Sequence, residues 1–233
     1  MADPILMPAP LERPVQTFSS RAVDVIREMV MTGQLRAGDR LNEVELANAL
    51  GISRGPLREA IQHLRSEGLL TGVSGRGAYV RTLTPKALRE LYEVRIALES
   101  HAVRLAAVVA GPEGIAELRS LLDATEESMA SDQAYPVQLD FHQRIVALAG
   151  NQALLETSQE VHRQIHLARS RSGHVSQRAK EALEEHREVL DNLEKGRGED
   201  AVVVLTNHLR HSLASALEVL EKDATAAGAP NAS

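Results

Sequence analysis

Between residues 43 and 67 apolar positions recur every third or fourth place in two runs, with a glycine between them. Val44, Leu46, Ala47 and Leu50 make one face of a helix over 43–50, and Leu57, Ala60, Ile61 and Leu64 make one face of a second over 54–67. Asn42 stands where its side-chain oxygen can cap the first helix, and Gly51 can end it by entering the left-handed region cheaply. Ser53 is placed to cap the second helix and Gly68 to end it. Arg54, Arg58, His63 and Arg65 fall off the apolar stripe. A helix held by its apolar back, with basic residues off that face, is what a helix-turn-helix needs to enter the major groove. The period then changes. Leu69, Leu70 and Thr71 predict one short strand, and Ala78, Tyr79, Val80 and Arg81 another, with Gly72, Gly75 and Gly77 allowing the turn. Such a hairpin is a wing. Gly75 and Arg76 at its tip put a cation on a side-chain-poor loop suited to phosphates or the minor groove.

Thr84-Pro85 marks a boundary, since the residue before proline is pushed out of helical geometry. Beyond it the period is helical to the end. Leu88, Leu91, Val94, Leu98, Ala102 and Leu105 define a long helix closed by Gly111-Pro112. Further helices are predicted over 113–129, from Tyr135-Pro136 to 149, over 153–170, over 176–195 with Ser176 as cap, and over 199–220. Six helices with short loops make an antiparallel bundle. The expected fold class is therefore mainly α: a winged helix-turn-helix over 15–82 and an all-α bundle over 86–222. A proline-rich lead over 1–14 and an Ala/Gly/Pro-rich tail over 223–233 are expected to be disordered.

Composition narrows the chemistry. The 233 residues suffice for two cores. Hydrophobic residues reach 43% but aromatic ones only 2%, so the cores must be built of Leu, Ala, Val and Ile, which favours packed helices. With no Cys there is no disulfide, thiolate metal site or Cys nucleophile. No apolar run is long enough to span a membrane, and the N-terminus lacks a basic start and long apolar stretch, so a cytoplasmic protein is expected. The net charge of −6 divides unevenly. Residues 15–82 carry nine Lys and Arg against seven Asp and Glu, and residues from 83 onward sixteen against twenty-three. The acidity belongs to the bundle, and a dimer that doubles the phosphate contacts would offset the head's weak positive charge.

Eight of the nine histidines also lie in the bundle. His142, His186 and His208 each sit on or beside the apolar stripe of a different predicted helix, so three imidazoles can converge on one interior point suited to Zn²⁺ or a similar cation. Arg95 interrupts the stripe of Leu91, Val94 and Leu98. It can anchor an effector carboxylate bidentately or pair internally with Glu99. Arg163 and His166 are further candidates to line the effector site.

Residues 33–41 (GQLRAGDRL), Glu45-Leu46-Ala47, Leu50-Gly51-Ile52-Ser53-Arg54, Leu57-Arg58-Glu59-Ala60 and Glu67-Gly68-Leu69 resemble the winged helix-turn-helix of the GntR family of bacterial transcription regulators. With the start of the second helix, that resemblance implies Arg36, Ser53, Arg54, Gly55, Arg58, Gly75 and Arg76 as DNA-binding residues. Ala37 stands where the family often has Pro, and Val44 where some members carry a contacting Arg. Leu91-Tyr92-Glu93-Val94-Arg95, Leu98-Glu99, Phe141-His142, Gly150-Asn151, Glu185-His186-Arg187 and His208-Leu209 resemble the FCD ligand-binding domain of FadR-like members. In many such domains three His and one Asp hold a divalent metal beneath a small organic acid. His142, His186 and His208 match the three His, while Gln138 holds the place of the Asp and supplies only a neutral oxygen. The resemblance implies a homodimeric repressor that binds double-stranded operator DNA and is released by a small carboxylate effector. Two other readings remain at this point: a constitutive dimeric DNA-binding protein, and a metalloenzyme using the three His. The second lacks an HExxH motif and a marked general acid and base.

Overall fold

The computed structural model describes residues 17–73, 77–130, 140–169 and 177–228. The N-terminal domain starts with α1 (Phe18–Met31), capped by the Thr17 hydroxyl and buried through Ala22, Val23, Ile26 and Val30. Next come α2 (Glu43–Leu50) and α3 (Arg54–Ser66). Asn42 accepts from the Glu45 amide and Gly51 is left-handed at φ 63°, as the sequence predicts. Ser53 is the N-cap of α3 but its side chain makes no capping bond. The third residue of that helix is Pro56, which has no N–H to offer. The wing is β1 (Leu70–Val73) and β2 (Gly77–Val80), antiparallel, with Leu70 opposite Val80 and Val73 opposite Gly77. Its expected tip residues Gly75 and Arg76 lie outside the described residues.

The two domains meet without a linker. Thr84 caps α4 (Pro85–Val109) by accepting from the Ala87 amide, and Pro85 takes the first helical position, where its missing N–H costs nothing. The bundle continues with α5 (Pro112–Ala130), α6 (Phe141–Leu148), α7 (Gln152–Arg169), α8 (Gln177–Glu194) and α9 (Gly198–Gly228). The α4 helix is central and packs on α6, α7, α8 and α9.

Two expectations need correction. The helix predicted to open at Tyr135-Pro136 begins instead at Phe141, because the Asp140 carboxylate accepts from the His142 and Gln143 amides and caps it there. Residues 131–139, including Gln138, lie outside the described residues, as does Ser176. The tail expected to be disordered from 223 is helical to Gly228. Alanine has the highest helix propensity, and Ala224, Ala226 and Ala227 favour extending the helix.

One apolar cluster joins Ile26, Val30, Leu57, Leu64 and Leu69 of the N-terminal domain to Leu88, Tyr92, Val161, Ile165, Leu167 and Leu217 of the bundle. A second cluster, with Leu118, Leu122, Phe141, Ile145, Leu190 and Leu205, fills the far end of the bundle.

Candidate nucleic-acid interface and histidine centre

Leu57, Ala60, Ile61 and Leu64 bury one face of α3, which leaves Arg54, Gly55, Arg58, Gln62 and Arg65 exposed along the other. Ser53 is exposed at its start, with its hydroxyl uncommitted to a cap. The Arg58 side chain is 72% exposed and lies 3.5 Å from a Glu43 oxygen on α2, an ion pair the sequence reading did not foresee. An exposed pair at that distance is weak and yields readily to a guanine or phosphate. Arg36 is exposed, and its amide is held by the Asp39 carboxylate at 2.8 Å, which fixes the turn ahead of α2.

In the bundle, α6, α8 and α9 bring His142, His186 and His208 together. The three Nε2 atoms lie 3.1–3.2 Å apart, and all three residues are buried. His186 also stacks on Phe141, with centroids 4.6 Å apart. Carboxylates hold the outer nitrogens of the other two rings. The Glu99 Oε2 lies 2.7 Å from His142 Nδ1, and the Glu185 Oε2 lies 2.7 Å from His208 Nδ1. Burial opposes both charges, yet Glu99 is kept well below its ordinary range by Arg95 and His142. Glu185 is likewise kept low by hydrogen bonds from His208, Arg178 and His211. An ionised carboxylate only accepts, so each Nδ1 must donate, and His142 and His208 present Nε2 lone pairs to each other. Burial also lowers all three imidazole pKa values, that of His208 to about 4, so the rings stay neutral.

Lone pairs facing one another at 3.1 Å repel unless a proton or cation lies among them. Tetrahedral Zn²⁺ with Zn–N bonds of about 2.05 Å sets its ligand atoms about 3.3 Å apart, close to the observed spacing. Carboxylates on the outer nitrogens supply the usual support for metal-bound imidazoles. The residues present therefore fit a divalent cation.

The other effector candidates have different partners. Arg95 is buried and its Nε donates to Glu99 Oε1 at 2.6 Å, so of the two alternatives for this residue the internal pair is made. Arg163 and His166, expected to line the effector site, point to the N-terminal domain instead. Arg163 Nε is 3.7 Å from Glu67, and His166 Nε2 donates to the Met31 carbonyl at 2.9 Å. Arg163 falls off the face of α7 that carries His162, while His166 lies one turn beyond His162 on that face, and the sequence period could not say that the N-terminal domain covers both.

Comparison with known proteins identifies both domains. Residues 18–80 match the model of the bacterial regulatory proteins of the gntR family, and residues 90–211 match the FCD domain. The chain belongs to the GntR family, in the branch with an FCD domain. It is 42% identical over 143 residues to the Nta operon transcriptional regulator of Aminobacter aminovorans, covering 60% of this chain and 68% of that one. It is 31% identical over 201 residues to the HTH-type transcriptional regulator YdhC of Bacillus subtilis (strain 168), covering 84% and 90%. A solved GntR regulator from Rhodococcus sp. RHA1 shares 27% identity with a TM-score of 0.75, covering 86% of this chain and 97% of that one. This GntR–FCD chain is thus a DNA-binding transcription regulator and not an enzyme. Among the described residues no helix is long and apolar enough to cross a membrane.

Three residues of the histidine centre escaped the sequence reading of this regulator. His162 on α7 donates to Glu99 Oε1 at 2.6 Å and lies 3.4 Å from Asp140. Burial and Arg95 oppose its charge, but the bonds to Asp140 and Glu99 raise its pKa. Asp140 falls within the helix expected from Tyr135-Pro136, but it is the N-cap and not part of the helix. Glu185 was visible only as the neighbour of His186.

Proposed function

We propose that this GntR–FCD regulator is a metabolite-responsive repressor whose bundle holds a divalent cation of the Zn²⁺ type on His142, His186 and His208. The observation that carries this reading is the set of three buried Nε2 atoms 3.1–3.2 Å apart, two of them oriented by carboxylates on Nδ1. A cation held by three neutral imidazoles keeps its net charge and has coordination positions left for oxygen ligands. A small organic acid is the matching effector, since its carboxylate supplies such oxygens and neutralises the charge. Gln138, in the family's Asp position, leaves more of that role to the effector. Effector binding shifts DNA affinity by as much as it distinguishes the DNA-bound from the DNA-free arrangement.

On the DNA side, Arg54, Gly55, Arg58 and Ser53 at the start of α3 read the operator, and Arg36, Gly75 and Arg76 add phosphate or minor-groove contacts. The protein works in the cytoplasm, where chromosomal operators are. It binds a palindromic site as a homodimer. Val94, Leu98, His101, Leu105 and Val108 form an exposed to half-exposed stripe along α4, at alternating spacings of four and three, which suits packing against the same helix of a second copy.

Metal content and melting temperature of the purified full chain test the reading. Chelator should lower the melting temperature and Zn²⁺ restore it, by mass action. His208→Ala should abolish the response, and Gln138→Asp should strengthen it. If wild type and Gln138→Asp hold no metal and melt alike with chelator or Zn²⁺, the cation reading fails. A panel of small carboxylates titrated into an operator complex then separates an effector-responsive repressor from a constitutive DNA-binding dimer.

A further inference from the structure

A single turn of α7 touches both the histidine centre and the DNA-reading domain. His162 donates to Glu99 Oε1, and the other oxygen of Glu99 takes His142 Nδ1. Two hydrogen bonds therefore separate a ring of the triad from α7. The same stretch also holds the N-terminal domain in three places. Gln164 Oε1 accepts from Arg81 Nη1 at 2.9 Å. Arg163 faces Glu67, the C-cap of α3, which also takes a bidentate bond from Arg27 of α1. His166 donates to the Met31 carbonyl, the last of α1. Val161 and Ile165, between these contacts, belong to the same apolar cluster as Ile26, Val30, Leu64 and Leu69. Gly68, just after α3, lies so close that a Cβ there would sit 2.8 Å from the Gln164 amide.

We infer that the turn of α7 from His162 to His166 is the element that carries the state of the histidine centre to the recognition helix. The inference rests on the cation reading above and adds the route. Glu99 has its oxygens shared among three donors, Arg95, His142 and His162. A cation on His142 Nε2 draws electron density from the ring and strengthens its Nδ1–H bond to Glu99. Glu99 is 1% exposed and its two oxygens are shared among these donors, so a change at one donor is felt by the others. His162 is one of those donors and is fixed to α7. Because α7 is packed into the core of the N-terminal domain, its displacement moves the ends of α1 and α3 together. The recognition helix is thus set from its C-terminal end, leaving its N-terminal end clear for DNA.

Hydrogen exchange on the full chain, with Zn²⁺ alone as the probe, tests this. In wild type, Zn²⁺ should slow exchange in α6, α8 and α9 around the triad, and also in the head at 28–31 and 64–69. The head response should be at least about fivefold, the low end of ordinary coupling between sites. Gln164→Ala and, separately, Arg163→Met should keep the bundle response and the calorimetric Zn²⁺ affinity while losing most of the head response. Protection of the bundle with an unchanged head in wild type would overturn the route and leave the cation reading standing. A full head response in both variants would overturn it too. If calorimetry detects no Zn²⁺ binding and no segment responds, the cation reading and the route fall together.

Discussion

Acid should destabilise this protein earlier than its carboxylates alone would, because three histidines are buried without charge. His208 is the measurable member. Burial lowers its pKa to about 4, against about 6.5 for an ordinary imidazole. The residue is 3% exposed, so solvent screens little of that difference. As pH falls, the unfolded chain takes up the proton first. Stability is therefore full above pH of about 6.5 and is lost progressively down to about 4. A gap of about 2.5 units at about 1.36 kcal/mol each makes the His208 share about 3 kcal/mol. Burial shifts His142 and His186 in the same direction, so they add to the loss. His162 has a raised pKa, so its contribution is complete in this acid range and fades only as pH rises. Glu99, Glu185 and Asp140, all lowered despite burial, stabilise the fold fully above their ordinary range near 4–4.5 and lose that stabilisation only below it, so they take no part in the loss between pH 6.5 and 5. The assay is urea unfolding of the chelator-treated full chain at pH 7, 6 and 5. Between pH 6 and 5 the wild type should lose at least about 1 kcal/mol more than His208→Asn. Equal slopes for the two proteins, or a wild-type stability that does not change from pH 7 to 5, would refute the reasoning.

Arg58→Ala should weaken operator binding and relax preference at one base position, by roughly 1–3 kcal/mol for a good bidentate contact with guanine. Its melting temperature should barely move, since the side chain is 72% exposed and loses only the pair to Glu43. A mobility shift at fixed salt checks the first and a thermal scan the second. Gly51→Ala should cost about 1–2 kcal/mol, because φ is 63° there and an added Cβ meets nothing within 4 Å, so the penalty is all backbone. Denaturant unfolding reads that cost, and Gly51→Asn should recover part of it.

Much of the DNA-reading domain was legible in the sequence because its signals are local. Asn42 and Gly51 delimit α2 through bonds to residues three or four places away, and the stripe of Leu57, Ala60, Ile61 and Leu64 states which side of α3 is buried. The same holds for the choice of His142, His186 and His208, whose places beside apolar stripes follow from helical period alone. The period says that a residue faces inward; it does not say what it meets there. Glu99 lies 43 positions from His142 and 63 from His162, and only the packing of α4 against α6 and α7 makes one carboxylate serve both. Arg95 differs, because Glu99 stands one turn away on α4 itself and the pair, at 2.6 Å, is within reach of helical period; the packing around α4 adds its burial. Packing redirected Arg163 and His166 from the bundle interior to Glu67 and Met31. Amphipathic period is a property of one helix, and it fixes which residues are withdrawn from water. Partners belong to pairs of helices, and are set by how the apolar faces of α4, α6, α7, α8 and α9 interlock around a shared core.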